Sequence, residues 1–132
     1  VEVPCTASTV TVKAVPAGIS MITSRELNDP ASPRINHFLE RFRAAPLPAP
    51  SADAASDPAG GDWSAWQALL ANRIHAVGDG PREAMCVVTD SGYGTVSSSL
   101  IALPSVARPG IRPVWLFANG RPGEAPFDPV SV

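Results

Sequence analysis

The sequence predicts an α+β domain in which an antiparallel sheet carries two helices on one face. Two segments repeat their apolar residues at helical spacing, and the segments after them switch to the two-residue period of strands. Turn-forming residues separate those later strands by lengths short enough for antiparallel pairing. With 132 residues, 45% apolar and 17% charged, the chain holds one packed domain, 1–132, and not two.

Residues 6–15 are β-branched and alternating, with Val10, Val12 and Ala14 on one face and Thr9, Thr11 and Lys13 on the other. That pattern predicts a strand with one wet side. Pro16-Ala17-Gly18 then turns the chain, and residues 19–23 form a short second extended segment. The first helix follows: Ser32 caps it, Pro33 takes its first position, and Ile35, Phe38, Leu39 and Phe42 make one apolar stripe. Four prolines between 46 and 58, mixed with Ala, Ser, Asp and Gly, predict a flexible loop over 46–61.

Asp62 caps a second predicted helix that runs to Arg73 or Ile74, with Trp63, Trp66, Leu70 and Ile74 on one face. Residues 84–89 are continuously apolar, as in a strand buried on both sides. Asp90-Ser91-Gly92-Tyr93-Gly94 reads as a hairpin turn, 95–103 as the next strand, and 113–118 as the last, with Trp115 and Phe117 on one face. The helices cover one side of this sheet, and the chain supplies little to cover the other. The expectation is a partner surface from upstream sequence or from a second subunit.

Composition narrows the function. A formal charge of −2 argues against a nucleic-acid footprint. No apolar run approaches the ~20 residues of a membrane helix, and no leader segment stands at the front, so a cytoplasmic protein is expected. Cys5 and Cys86 lie far apart with no Cys-x-x-Cys and no histidine at ligand spacing, which disfavours a metal site. Cys86 reads as a small core residue, and a reducing compartment suits both thiols. Nine of the ten basic residues are Arg, which points to a bacterium with a GC-rich genome.

His37 and His75 read as surface histidines on separate segments. Gly92-Tyr93-Gly94-Thr95 leads into a strand where a phosphate loop leads into a helix, and it lacks the P-loop lysine. Ser97-Ser98-Ser99 is more informative. Three hydroxyls in a strand place at least one on each face, and a buried one needs a partner or lines a polar pocket. No Gly-x-Ser-x-Gly supports a hydrolase nucleophile. The polar run from Asn28 to Arg34 suits turn and cap chemistry, with ligand contact as the alternative.

Three stretches carry a family resemblance: Gly18-Ile-Ser-Met-Ile-Thr-Ser-Arg-Glu-Leu-Asn-Asp29, Tyr93-Gly-Thr-Val-Ser-Ser-Ser-Leu100 and Trp115-Leu-Phe-Ala-Asn-Gly120. On these the chain resembles the C-terminal half of the NRDE family, the family of transport and Golgi organisation protein 2. The resemblance implies half of an αββα sandwich like that of the N-terminal-nucleophile hydrolases. It also implies haem or an acyl compound as ligand. The Asn-Arg-Asp-Glu tetrapeptide and the leading Cys of the family are not in this sequence and would lie upstream; the chain begins Val1-Glu2-Val3, as a processed or partial chain would.

Ser24 stands where relatives carry Asn, and Val96 where many carry Arg, so two groups suited to charge stabilisation are replaced. The leading expectation is therefore a C-terminal portion with no catalytic residue of its own and a ligand site at Ser24, Asn28, Thr95, Ser97 and Ser99. The rivals are part of an amide hydrolase whose N-terminal Cys nucleophile lies upstream, and an α+β interaction module.

Overall fold

The computed structural model describes residues 12–48, 60–108 and 110–131. It contains helix α1 (Pro33–Ala44), helix α2 (Ser64–Leu70), a single 3₁₀ turn (Pro81–Glu83), and strands β1 (Ser98–Ala102), β2 (Val114–Ala118) and β3 (Asp128–Pro129). The strands form one antiparallel sheet in the order β1-β2-β3. This is a small α+β fold. No helix among the described residues is long and apolar enough to cross a membrane.

Helix α1 forms where its local signals place it. Ser32 is extended and nearly buried, its hydroxyl accepts from the Ile35 amide at 3.4 Å, and Pro33 gives up no needed donor at the first position. Ile35, Phe38, Leu39 and Phe42 are the buried residues of the helix. Arg41 and Arg43 lie in the last turn, where cations meet the negative end of the helix dipole.

Helix α2 starts one residue later than expected and ends early: Trp63 and not Asp62 takes the N-cap position, with no side-chain cap bond, because the Asp62 side chain closes a turn onto Ser64 instead. Hydrogen bonding from the Ser64 hydroxyl, and then from the Ser64 amide at 2.9 Å, holds the Asp62 pKa below the usual carboxylate value. The helix stops at Leu70, and Ile74 is exposed instead of completing the apolar face. Asn72 is the physical reason. Its side chain accepts from the Ile74 amide at 2.8 Å, a local turn that competes with the next helical bond. Its carbonyl then accepts from the Cys86 amide at 2.9 Å.

That last bond also explains why 84–89 is not a strand. Ala84, Cys86 and Val87 are buried, yet residues 84–86 follow the 3₁₀ turn as bends, with Cys86 tied to the end of α2 and Val87 to Thr95. Continuous apolarity reports burial there, and antiparallel pairing among the described residues is limited to the single Val88–Gly94 bridge. Residues 12–16 likewise form no strand and are exposed, because no neighbour pairs with them among the described residues. Residues 19–23 are irregular too. The expected strand residues 6–11 and most of the expected loop 46–61 lie outside the described residues.

The sheet has two unlike faces. The register pairs Leu100 with Leu116 and Ala102 with Val114 on one side, and Ser99 with Phe117 and Ile101 with Trp115 on the other. Leu100, Val114 and Leu116 pack with Trp63, and Trp66, Leu70, Ala102 and Phe127 lie against that cluster. Helix α2 therefore covers the first face. Helix α1 reaches α2 through Phe42, whose ring meets Trp66 edge-on at 5.3 Å between centroids. On the second face Ile101 is 58% exposed and Trp115 36%, with Phe117 half-buried.

Candidate functional site

The five residues singled out in the sequence fall into three places. Asn28 closes the loop before α1. Its backbone N–H donates to the Met21 carbonyl at 2.8 Å, its Oδ1 accepts from the Met21 amide at 2.8 Å, and its Nδ2 donates to Ser20 Oγ at 3.1 Å. It does so at φ +56°, a left-handed conformation that Asn tolerates better than other residues with a Cβ. Every polar group of this side chain is already engaged by its own loop. Ser24 lies exposed within the loop that Asn28 closes.

Thr95 does for the hairpin what Asn28 does for the loop. Its hydroxyl accepts from the Val87 amide at 2.9 Å and its amide donates to the Val87 carbonyl at 2.9 Å, beside the Val88–Gly94 bridge. Gly94 is required at that bridge, since a Cβ would sit 2.6 Å from the Val87 carbonyl oxygen. The turn at the tip is the predicted one, with Gly92 at φ +80° donating to Thr89.

Ser97 and Ser99 are exposed. Ser99 lies on the open face of the sheet and accepts from Trp115 Nε1 at 3.2 Å. The structure thus brings Ser99 together with Trp115, Phe117 and Ile101. Among the described residues no hydrogen bond joins Ser24 or Asn28 to Thr95, Ser97 or Ser99.

Clefts also lie elsewhere among the described residues, and none of the five residues lines either of the following two. One, of about 290 Å³, is lined by Pro30, Ala31, Pro33, Asn36, His37, Ala76 and Asp79. His37 stacks edge-on to Phe38 at 4.7 Å, and its Nε2 is buried without a hydrogen-bond partner among the described residues. The sequence marked His37 as a surface histidine, and nothing in the helical period distinguishes it. The second cleft, of about 530 Å³, runs between α2 and residues 123–127, with Gln67, Ala71 and Phe127 in its walls. Near it Arg73 pairs with Glu124, and that hydrogen bond raises the Arg73 pKa further above its already high value.

The larger cleft offers no histidine, cysteine or methionine, and the cleft at His37 lies at the lower edge of the ~300–1,000 Å³ that drug-sized ligands occupy. Cys86 is fully buried in the fold. Among the described residues no three His, Cys, Asp or Glu side chains gather in a group that could hold a metal ion. The open sheet face offers a different chemistry: an apolar strip with one hydroxyl and one indole N–H at its surface.

No family model, curated protein or solved structure matches this chain.

Proposed function

We propose that the chain is the C-terminal portion of an NRDE-like protein and forms one sheet and helix layer of a small-molecule-binding αββα sandwich. In this reading the chain is non-catalytic by itself. The ligand is an acyl compound whose apolar chain lies along Ile101, Trp115 and Phe117, and Ser99 and Ser97 offer hydroxyls beside it. The observation that carries the reading is the open face of the sheet. A β-sheet buries both faces unless one is polar, and this one presents a half-exposed Trp, a half-buried Phe and an exposed Ile where polar residues would suit water.

The test is a titration with palmitoyl-coenzyme A followed by tryptophan emission. Trp63 is buried and Trp115 is exposed, so an acyl chain on the open face changes the emission of Trp115 foremost. The expected result is a saturable change in the native protein that Trp115→Phe removes while the fold persists. A titration that leaves the emission of the full gene product unchanged would sink the proposal.

A further inference from the structure

The edge of the sheet carries a second message, independent of its open face. Strand order places β1 at the edge, and among the described residues no strand pairs with its outer side. That side presents a row of backbone donors and acceptors, which an extended strand satisfies better than water does. Natural edge strands are guarded by charge, by proline within the strand or by a bulge. β1 has none of these. No charged residue occurs between Asp90 and Arg108, and Ser98–Ala102 is regular throughout.

The sequence of β1 also states which strand fits. Along Ser98-Ser99-Leu100-Ile101-Ala102 the exposure runs half-buried, exposed, buried, exposed, half-buried, a pattern symmetric about Leu100. Antiparallel pairing of two such strands about a twofold axis at Leu100 sets Leu100 against Leu100 and Ser98 against Ala102, all toward the helix-covered side. Ser99 then meets Ile101 on the open side. A one-residue slip would turn Leu100 outward, and a two-residue slip would leave end residues of the five-residue strand without partners, so the register centred on Leu100 keeps the faces matched and pairs the whole strand. The resulting sheet has six strands, within the usual range, where each copy alone has two five-residue strands and a two-residue one.

We infer that this chain associates with a second copy of itself through antiparallel β1–β1 pairing centred on Leu100. The interface is isologous and closed, so it yields a dimer and not a fibre. The open faces of the two sheets remain free and lie side by side, which keeps this inference separate from the ligand reading above.

Sedimentation of the 132-residue protein across a concentration series tests it. The expected result is a reversible approach to twice the 13.7 kDa chain mass. The double variant Ser99→Lys with Ile101→Lys places lysine opposite lysine across the axis and weakens the dimer by at least about tenfold. Both sites are exposed, so the fold is retained. The reciprocal variant Ser99→Glu with Ile101→Glu is also expected to be monomeric, and mixing the two restores the dimer mass. Restoration shows that both variants are folded and that the Ser99 and Ile101 side of β1 lies in the interface. A wild-type monomer at every concentration, or variants whose mass and mixing behaviour match the wild type, would overturn the inference.

Discussion

Replacing Asn28 separates its side-chain hydrogen bonds from its backbone conformation, and the structure gives a magnitude for each. Asn28→Ala removes the bond from the Met21 amide at 2.8 Å and the bond to Ser20 at 3.1 Å. Part-buried bonds of this kind contribute about 0.5–1.5 kcal/mol each. Alanine at φ +56° adds a left-handed penalty of about 1–2 kcal/mol. The loop should therefore lose roughly 2–5 kcal/mol in Asn28→Ala. Asn28→Gly loses the same two bonds without the conformational penalty, so its loss should be about 1–3 kcal/mol. The assay is amide hydrogen exchange at Met21, whose N–H is held by the side chain. Exchange should accelerate about thirtyfold or more in Asn28→Ala and less in Asn28→Gly. Unchanged protection in both variants, or a glycine variant worse than the alanine one, would refute the assignment of Asn28 as the clasp of this loop.

Other perturbations test the packing and the hairpin. Phe42→Ala deletes a buried ring and its edge contact with Trp66, and urea denaturation should show a loss of about 3–5 kcal/mol. Thr95→Val keeps the shape and leaves the Val87 amide without its hydroxyl acceptor, a cost of about 1–3 kcal/mol in the same assay. Asp62 has a carboxylate pKa lowered by its bonds from Ser64, so its contribution is present above the ordinary value of 3.8 and is lost as pH falls through the lower folded value. Asp62→Asn retains an acceptor for the Ser64 amide and cannot titrate. Its thermal midpoint should therefore depend less on pH below about 4 than that of the wild type.

The elements most legible in the sequence are those whose determinants are local. Ser32, Pro33 and the stripe from Ile35 to Phe42 specify α1 within one segment, and cap, first position and buried face all lie where those residues indicate. The last two full-length strands were legible for a similar reason: β-branched and aromatic residues alternate between clear turns. What the sequence hid depends on distant partners. Residues 84–89 owe their burial to the bond between Cys86 and Asn72, which no period reveals. Strand β3 has two residues and exists because Asp128 and Pro129 lie opposite Phe117 and Leu116. The side chain of Asn72 ends α2 while the apolar spacing continues to Ile74.

The candidate site divides along the same line. Asn28 and Thr95 stood out as polar residues in conspicuous loops, and the structure shows each holding its own loop closed. Ser99 stood out as a hydroxyl in a strand, and the register sets it beside Trp115 on the open face. The clefts at His37 and along α2 were invisible because their walls come from segments far apart in the chain.

Hydroxyl-radical footprinting of Trp115 tests the central claim most directly, comparing the 132-residue chain with the longer gene product that the proposed function calls for. In the chain alone Trp115 should react as an indole that is 36% exposed. If a second layer packs on the open face, Trp115, Phe117 and Ile101 should all be protected in the longer product while the exposed Tyr93 reacts equally in both. Equal reactivity of Trp115 in the two proteins would contradict the account, because the open face would then be a surface that no second layer covers.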